Sequence, residues 1–449
     1  MGLTHEASRV AFSALINSTI KYVNKDREKS LMKLVDLSER FMGDNYPKES
    51  YEGARSLIQD PDGKWMKYLN KALDEIHPNI IKTAALNLGF EAGLYSTKKI
   101  RKMREVHECN IPWAILIDPT SACNLRCKGC WAAEYGHKLS LSYDELDNII
   151  TQGKELGIYF YLYTGGEPLT RKDDLLKLCE KHNDCEFHAF TNGTLIDDEF
   201  CKRVVDVGNF TMSVSIDGSK EVNDERRGEG VYDKIMTGME KLKEYGILFG
   251  TSVCYTSQNV YSVTSDDFLD MLIEKGSRFI WYFHYMPVGN DASPELLPTA
   301  EQREIVYRRL REYRVTKPLF VMDFQNDAEY TKGCIAGGRR YLHINANGDV
   351  DPCVFIHYSD SNIREKSLLD TLRSPLFMAY HDNQPFNDNM LRPCPMLENP
   401  EKLREMVNKS GAHSTDLQSP ESAEHLCSKC DNYAVKWKIT ADKLWSGKN

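Results

Sequence analysis

From Trp113 to Met286 the chain alternates short apolar runs with amphipathic stretches of helix length, and this alternation constrains the fold more than any other feature. Trp113–Asp118, Ile158–Tyr163, Glu186–Thr191, Thr211–Asp217, Leu248–Tyr255 and Arg278–Tyr285 read as strands. Stretches between them, such as Ser142–Leu156 and Tyr232–Tyr245, have the length and apolar spacing of helices. Six strand–helix units favour a parallel α/β sheet wound in one sense, because a right-handed crossover lays each strand beside the last. In such sheets function collects at the carboxyl ends of the strands.

The end of the first strand carries Cys123-Asn124-Leu125-Arg126-Cys127-Lys128-Gly129-Cys130. Three thiolates at CxxxCxxC spacing can ligate three irons of a 4Fe-4S cube and leave the fourth open to a substrate or cofactor. Short cysteine patterns also serve zinc. The second strand, Tyr159–Tyr163, runs directly into Thr164-Gly165-Gly166-Glu167-Pro168. Two glycines free the backbone there, so the turn can bring carbonyls and one carboxylate against a cationic amine.

CxxxCxxC followed by GGEP resembles the radical S-adenosylmethionine (SAM) superfamily. The resemblance implies a partial (β/α)6 TIM-like barrel whose open cluster, on Cys123, Cys127 and Cys130, cleaves SAM to a 5′-deoxyadenosyl radical that abstracts a substrate hydrogen. It places Gly165, Gly166, Glu167 and Pro168 beside SAM, with Asn192 at the end of strand three and Ser213, Ser215 and Asp217 at the end of strand four. Arg227, with Arg226, can pair with the SAM carboxylate in a bidentate fashion. The position before the third cysteine is usually aromatic in this superfamily; here it is Gly129, and Trp131 follows instead. The CNLxCxGC loop resembles a subset that includes enzymes acting on isoprenoid and lipid substrates. Alternate residues of strand six, either Tyr282 and His284 or Trp281 and Tyr285, are substrate-contact candidates, with aromatic core packing as the other reading.

Residues 1–108 show helical apolar spacing at Phe12, Leu15, Ile16 and Ile20, then Leu31, Leu34, Val35 and Leu37. This helical N-terminal extension differs from the winged-helix peptide-binding domain common in peptide-modifying relatives. The barrel is expected over 109–315 and a small α+β domain over 316–449. There Cys334-x13-Gly348-x4-Cys353 surrounds Asn345-Ala346-Asn347-Gly348, a β-hairpin signal. Cys394 and the pair Cys427 and Cys430 follow. The group resembles the SPASM and twitch auxiliary-cluster domains, and five thiols suit one auxiliary 4Fe-4S cluster closed by Cys334, Cys353, Cys427 and Cys430. Cys394 either replaces one of these or lies beside the cluster, and zinc fits the same spacing. Cys109, Cys179, Cys185, Cys201 and Cys254 read as packing residues.

Net charge is −9, from 57 basic and 66 acidic residues, which disfavours a nucleic-acid surface. The densest basic stretch, Lys98 to Arg104, suits an acidic redox protein, an anionic lipid surface or simple solvation. With 449 residues and 41% hydrophobic content, two or three domains are expected. No signal peptide or transmembrane segment is visible, so thirteen cysteines point to reduced thiols and metal ligands in the cytoplasm. The expected protein is an anaerobic radical SAM enzyme, fed by a flavodoxin or ferredoxin-type reductant. Its substrate is a peptide or protein, or else a lipid or small molecule. The alternative is a non-catalytic iron-sulfur or zinc-binding scaffold.

Overall fold

The computed structural model describes residues 2–23, 26–42, 47–290 and 292–447. Nine strands form one sheet: β1 Ala114–Ile117, β2 Phe160–Tyr163, β3 Glu186–Thr191, β4 Phe210–Ser215, β5 Phe249–Tyr255, β6 Phe279–His284, β7 Phe320–Asp323, β8 Tyr341–Ile344 and β9 Val350–Asp351. Their order is β7-β6-β5-β4-β3-β2-β1-β8-β9, with every pair parallel except β8 and β9. The six expected strands fall where the apolar runs lie. A seventh, β7, continues the parallel series after the helix Ala300–Thr316. Its four residues are too short a run to stand out from a buried helix segment by pattern alone.

The sheet also recruits the first strand of the expected hairpin. β8 pairs in parallel with β1, setting Ala114 opposite Tyr341 and Ile117 opposite Ile344, while β2 occupies the other edge of β1. The curved sheet is therefore open only between β7 and the β8–β9 hairpin. Sequence shows a hairpin through Asn347-Gly348 chemistry; which strand it joins is a long-range matter.

Local signals explain the helix limits. Ser142 and Glu145 form a capping box at the start of Tyr143–Leu156, and Gly157, at φ 98°, ends it. Asp197 and Ser265 cap the helices that follow β3 and β5. Between sheet and helices lies an apolar layer in which Ile115, Ile117, Tyr161, Phe187, Phe210 and Leu342 are fully buried. Tyr161 resolves its polarity by donating to the Ile150 and Ile158 carbonyls, each at 2.9 Å.

The described residues up to His107 form a series of helices from Gly2–Val23 to Ser96–His107, and the side chains of Leu15 and Ile20 lie outside those described. The region docks on the amino-terminal side of the barrel. Tyr68 donates to the Arg278 carbonyl at 3.0 Å, Asn79 donates to the Val205 carbonyl at 2.8 Å, and Trp113 Nε1 reaches back to the Ala92 carbonyl at 2.8 Å. Glu91, fully buried in the π-helix Ala85–Tyr95, is paired with Arg9 and His5.

Leu342 is buried at the centre of β8. Leu342→Ala is expected to lower stability by about 2–5 kcal/mol, read as a drop in unfolding temperature, because the sheet cannot collapse around the void.

Candidate functional site

The first cysteine group sits on a loop braced from three sides. The N–H groups of Gly166 and Glu167 donate to the carbonyls of Thr120 and Ala122, at 3.0 and 2.8 Å, so the glycine turn and the stem of the cysteine loop run against each other. A Cβ on Gly166 would collide with the Ala122 carbonyl, and one on Gly165, itself at φ 97°, would meet the Thr120 carbonyl and Asp118. On the second side Asn124 accepts from Asn192 Nδ2 and donates to Thr194 Oγ1, both at 2.8 Å. On the third, Lys128 N–H donates to the Arg226 carbonyl at 2.9 Å.

Glu167 ties strand ends together. Its carboxylate accepts from Thr191 Oγ1 at 2.6 Å, Asn192 N–H at 2.7 Å and Leu169 N–H at 3.0 Å. Burial pushes its pKa upward, opposed by those three donors and by Arg227. Pro168 opens the short turn that follows, and it is buried. Ser213 shares a hydrogen bond with His188 Nε2, and Ser215 with Ser252, each at 2.9 Å.

Asp217 is the electrostatic centre of this wall. Arg226 Nη1 and Arg227 Nε both donate to Oδ2, at 2.5 and 2.7 Å, while Cys254 N–H donates to Oδ1 at 3.0 Å. Burial works against the charge, but the two guanidiniums and the Cys254 amide outweigh it and hold the carboxyl at about 2. Arg226 and Arg227, candidates for the SAM carboxylate or for an ordinary loop charge, both meet Asp217, Arg227 through Nε, with its Nη groups left beside it. The Cys254 backbone N–H is thus part of this wall, and its thiol lies within electrostatic reach of Arg226, Asp217 and Cys130.

The aromatic side chain missing at Gly129 arrives from elsewhere. Gly129 is at φ 64°, and a Cβ there would lie 2.8 Å from the Tyr285 ring. Tyr285, after β6, thus covers that face of the loop. Trp131 instead faces the hairpin, edge-on to His343, Phe355 and His357. On β6 the half-buried set is Phe279, Trp281 and Phe283, and Trp281 and Phe283 meet Phe190 on the barrel interior. Tyr282 donates to the Val263 carbonyl among the helices, and His284 binds Tyr433 Oη at 2.8 Å, so neither faces the interior.

Between loop and hairpin lies a buried charged seam. His343 stands 3.0 Å from Asp118 and 3.2 Å from Asp351. Burial disfavours its charge, but the two carboxylates prevail and raise it to about 9, an imidazolium at neutral pH. A histidine inside the apolar run Tyr341–Ile344 was the sequence signal for this contact.

The second thiol group gathers behind the seam. Cys334, Cys353 and Cys394 act on one another electrostatically, and Tyr380 senses all three together with Cys427. Glu398 Oε2 accepts the Cys394 N–H at 2.7 Å, and its other oxygen pairs with fully buried Arg303 at 2.6 Å. Arg303 stacks over Trp437 at 4.1 Å and donates to Tyr433, one turn beyond Cys430.

Both groups fit iron-sulfur ligation by their donor chemistry. The backbone N–H two residues on points at the sulfur of Cys123, Cys130, Cys334, Cys353 and Cys394. Such N–H···S contacts stabilise bound thiolate. Without a metal, burial pushes the thiols up, Cys123 and Cys353 to about 11 and Cys334 and Cys427 to about 12. Only a bound cation makes thiolates of them near neutral pH. Among the described residues no three His, Cys, Asp or Glu side chains converge on one ion position.

The remaining basic stretch is partly consumed: Lys99 donates to the Lys154 carbonyl, and Arg104 to the Ile111 and Arg339 carbonyls. Lys98, Arg101 and Lys102 stay exposed.

Comparison with known proteins agrees with this geometry. A family model of the radical SAM superfamily matches residues 117–272, and one of the iron-sulfur cluster-binding SPASM domain matches residues 334–396. The radical SAM match implies a 4Fe-4S cluster and SAM, and the SPASM match implies auxiliary iron-sulfur clusters. Fe-coproporphyrin III synthase of Methanosarcina barkeri is 32% identical over 224 residues, 47% of this chain; the chain spans only 55% of that relative. PqqA peptide cyclase of Granulibacter bethesdensis is 26% identical over 311 residues, covering 63% of this chain and 79% of the cyclase. The crystal structure of Streptococcus suis SuiB bound to precursor peptide SuiA shares the fold, with a TM-score of 0.57 at 19% identity, over 85% of this chain and 90% of that one.

Two outcomes test the site. Gly166→Ala is expected to lose the iron bound by Cys123, Cys127 and Cys130 and to keep the C-terminal iron, read by metal analysis after anaerobic reconstitution. The Asp217 carboxyl falls from 3.8 in the unfolded chain to about 2, a contribution of about 2 kcal/mol. A depressed carboxyl stabilises fully above pH 4 and ceases to do so as pH drops toward 2. The stability gap between wild type and Asp217→Asn should therefore narrow over that window in denaturant titrations.

Proposed function

Since this chain carries a radical SAM domain followed by an iron-sulfur cluster-binding SPASM domain, we propose that it is an enzyme that cleaves SAM reductively and abstracts hydrogen from an apolar lipid or small molecule. When bound, the cluster on Cys123, Cys127 and Cys130 supplies the electron that converts SAM to methionine and a 5′-deoxyadenosyl radical. The chain's own residues supply the frame. The glycine turn and Glu167 fix the loop, Arg227 offers its Nη groups to a carboxylate, and Tyr285 covers Gly129 and keeps water from that face.

One observation carries the substrate class. A cavity of about 540 Å³ lies between β7 and the β8–β9 hairpin; its end at Cys334, Cys353 and Cys394 is the space the auxiliary cluster itself would take, and the part beside Trp281, Phe324 and Phe355 is left for a substrate. Its walls are almost wholly apolar, which suits a hydrocarbon group and offers few partners to a peptide backbone. Trp65 of the N-terminal helices closes one side. The three thiols lining it support a single auxiliary cluster on Cys334 and Cys353 with Cys427 and Cys430, in which Cys394 replaces one of these or lies beside the cluster.

A second reading, modification of a peptide or protein, is favoured by relatives, among them a PqqA peptide cyclase and SuiB with its precursor peptide. Under either reading a flavodoxin or ferredoxin-type protein is the reductant. No described helix is long and apolar enough to cross a membrane, which, with thirteen free thiols, supports a cytoplasmic site of action. A non-catalytic scaffold is disfavoured by the intact brace around the first cysteine loop.

Anaerobic reconstitution, iron analysis and a dithionite-driven assay test the proposal. Formation of 5′-deoxyadenosine with about eight irons per chain is expected, since each cube holds four. Binding of a long-chain fatty acyl probe that is weakened by Trp281→Ala, with no binding of unstructured peptides, would support the apolar substrate; the reverse would favour the peptide reading. Absence of deoxyadenosine from fully loaded protein would overturn the enzyme.

A further inference from the structure

One contact separates Cys353 from the other thiols of the two groups. Its sulfur lies 2.8 Å from the hydroxyl of Tyr341, and among the described residues no side-chain donor reaches another sulfur of the two groups, of which Cys123, Cys130, Cys334 and Cys394 meet backbone N–H groups. Tyr341 opens β8 opposite Ala114 of β1, so the barrel strand fixes its backbone. Its ring meets Phe324 edge-on, with centroids 6.2 Å apart, and forms part of the wall of the apolar cavity. The phenol therefore has the substrate space on one side and a sulfur on the other.

The direction of the hydrogen bond follows from chemistry. A thiolate bound to iron can only accept, so the phenol donates. A donor to a ligand sulfur stabilises the more negative, reduced form of an iron-sulfur centre, and hydrogen bonds to sulfur are one of the levers that set its potential.

We propose that Tyr341 is a positioning residue that raises the reduction potential of the C-terminal iron-sulfur site by donating a hydrogen bond to the Cys353 sulfur at the wall of the substrate cavity. The proposal rests on the reading that Cys353 ligates iron. The contacts of Tyr341 are with β1, Phe324 and Cys353, so its effect is expected at the C-terminal site.

The test is a potentiometric titration of reconstituted full-length protein, followed by electron paramagnetic resonance so that the two sites are read separately. Tyr341→Phe keeps the ring against Phe324 and removes the donor. A more negative midpoint at the C-terminal site, with the other site unmoved and iron content unchanged, is the expected result. Site-specific replacement of Tyr341 by 3,5-difluorotyrosine, a stronger donor of nearly the same shape, should move that midpoint the opposite way. It serves also if the phenylalanine variant fails to fold. An unchanged midpoint in either loaded variant would overturn the role of the hydroxyl. Loss of only the C-terminal iron in Tyr341→Phe would overturn potential setting and make the residue a structural support. Wild-type protein with no second iron-sulfur signal would overturn the cluster reading itself.

Discussion

Everything in this protein hangs on β1 being hydrogen-bonded along both edges. On one side it pairs with β2, which ends in the glycine turn; on the other it pairs with β8, which leads into the hairpin carrying Cys353. A four-residue strand thus sets the distance between two sulfur-rich sites, because backbone pairing leaves neighbouring strands only about 4.8 Å apart. The auxiliary hairpin is an extension of the barrel sheet, and its register is fixed by the same bonds that place the first cysteine loop.

That seam is polar where it need not be. His343, Asp118 and Asp351 put an imidazolium between two carboxylates in the interior, a costly arrangement that persists only because each charge has a partner. Asp217 with Arg226 and Arg227 repeats the arrangement on the other wall, and Arg303 with Glu398 repeats it behind Cys394. Buried ion pairs lock one geometry more firmly than apolar contacts of equal size, since any slip strands a charge. In all three places the pair sits beside a group of cysteines or its loop, where a shift of an ångström would move a sulfur.

The barrel strands and the cysteine loop were readable because each is a local pattern: period-two or continuous apolar runs, a fixed cysteine spacing, two adjacent glycines. Tyr285 over Gly129 was not, since the two are more than 150 residues apart and nothing in either segment marks the contact. For the same reason the interior face of β6 was left between two sets; alternation shows that Trp281 and Phe283 share a face, but only neighbouring strands and helices decide which face is inside.

By itself the sequence determined the α/β class, the order of the elements, the two thiol groups and the chemistry they can hold, since propensity, ligand spacing and turn geometry act over a few residues. Tertiary structure alone decided that β8 joins β1, that Arg226 and Arg227 turn to Asp217, and that an apolar cavity opens between β7 and the β8–β9 hairpin beside three thiols. Those outcomes depend on which surfaces meet once the sheet has curled, and burial then sets the charge and the hydrogen-bond partner of each group.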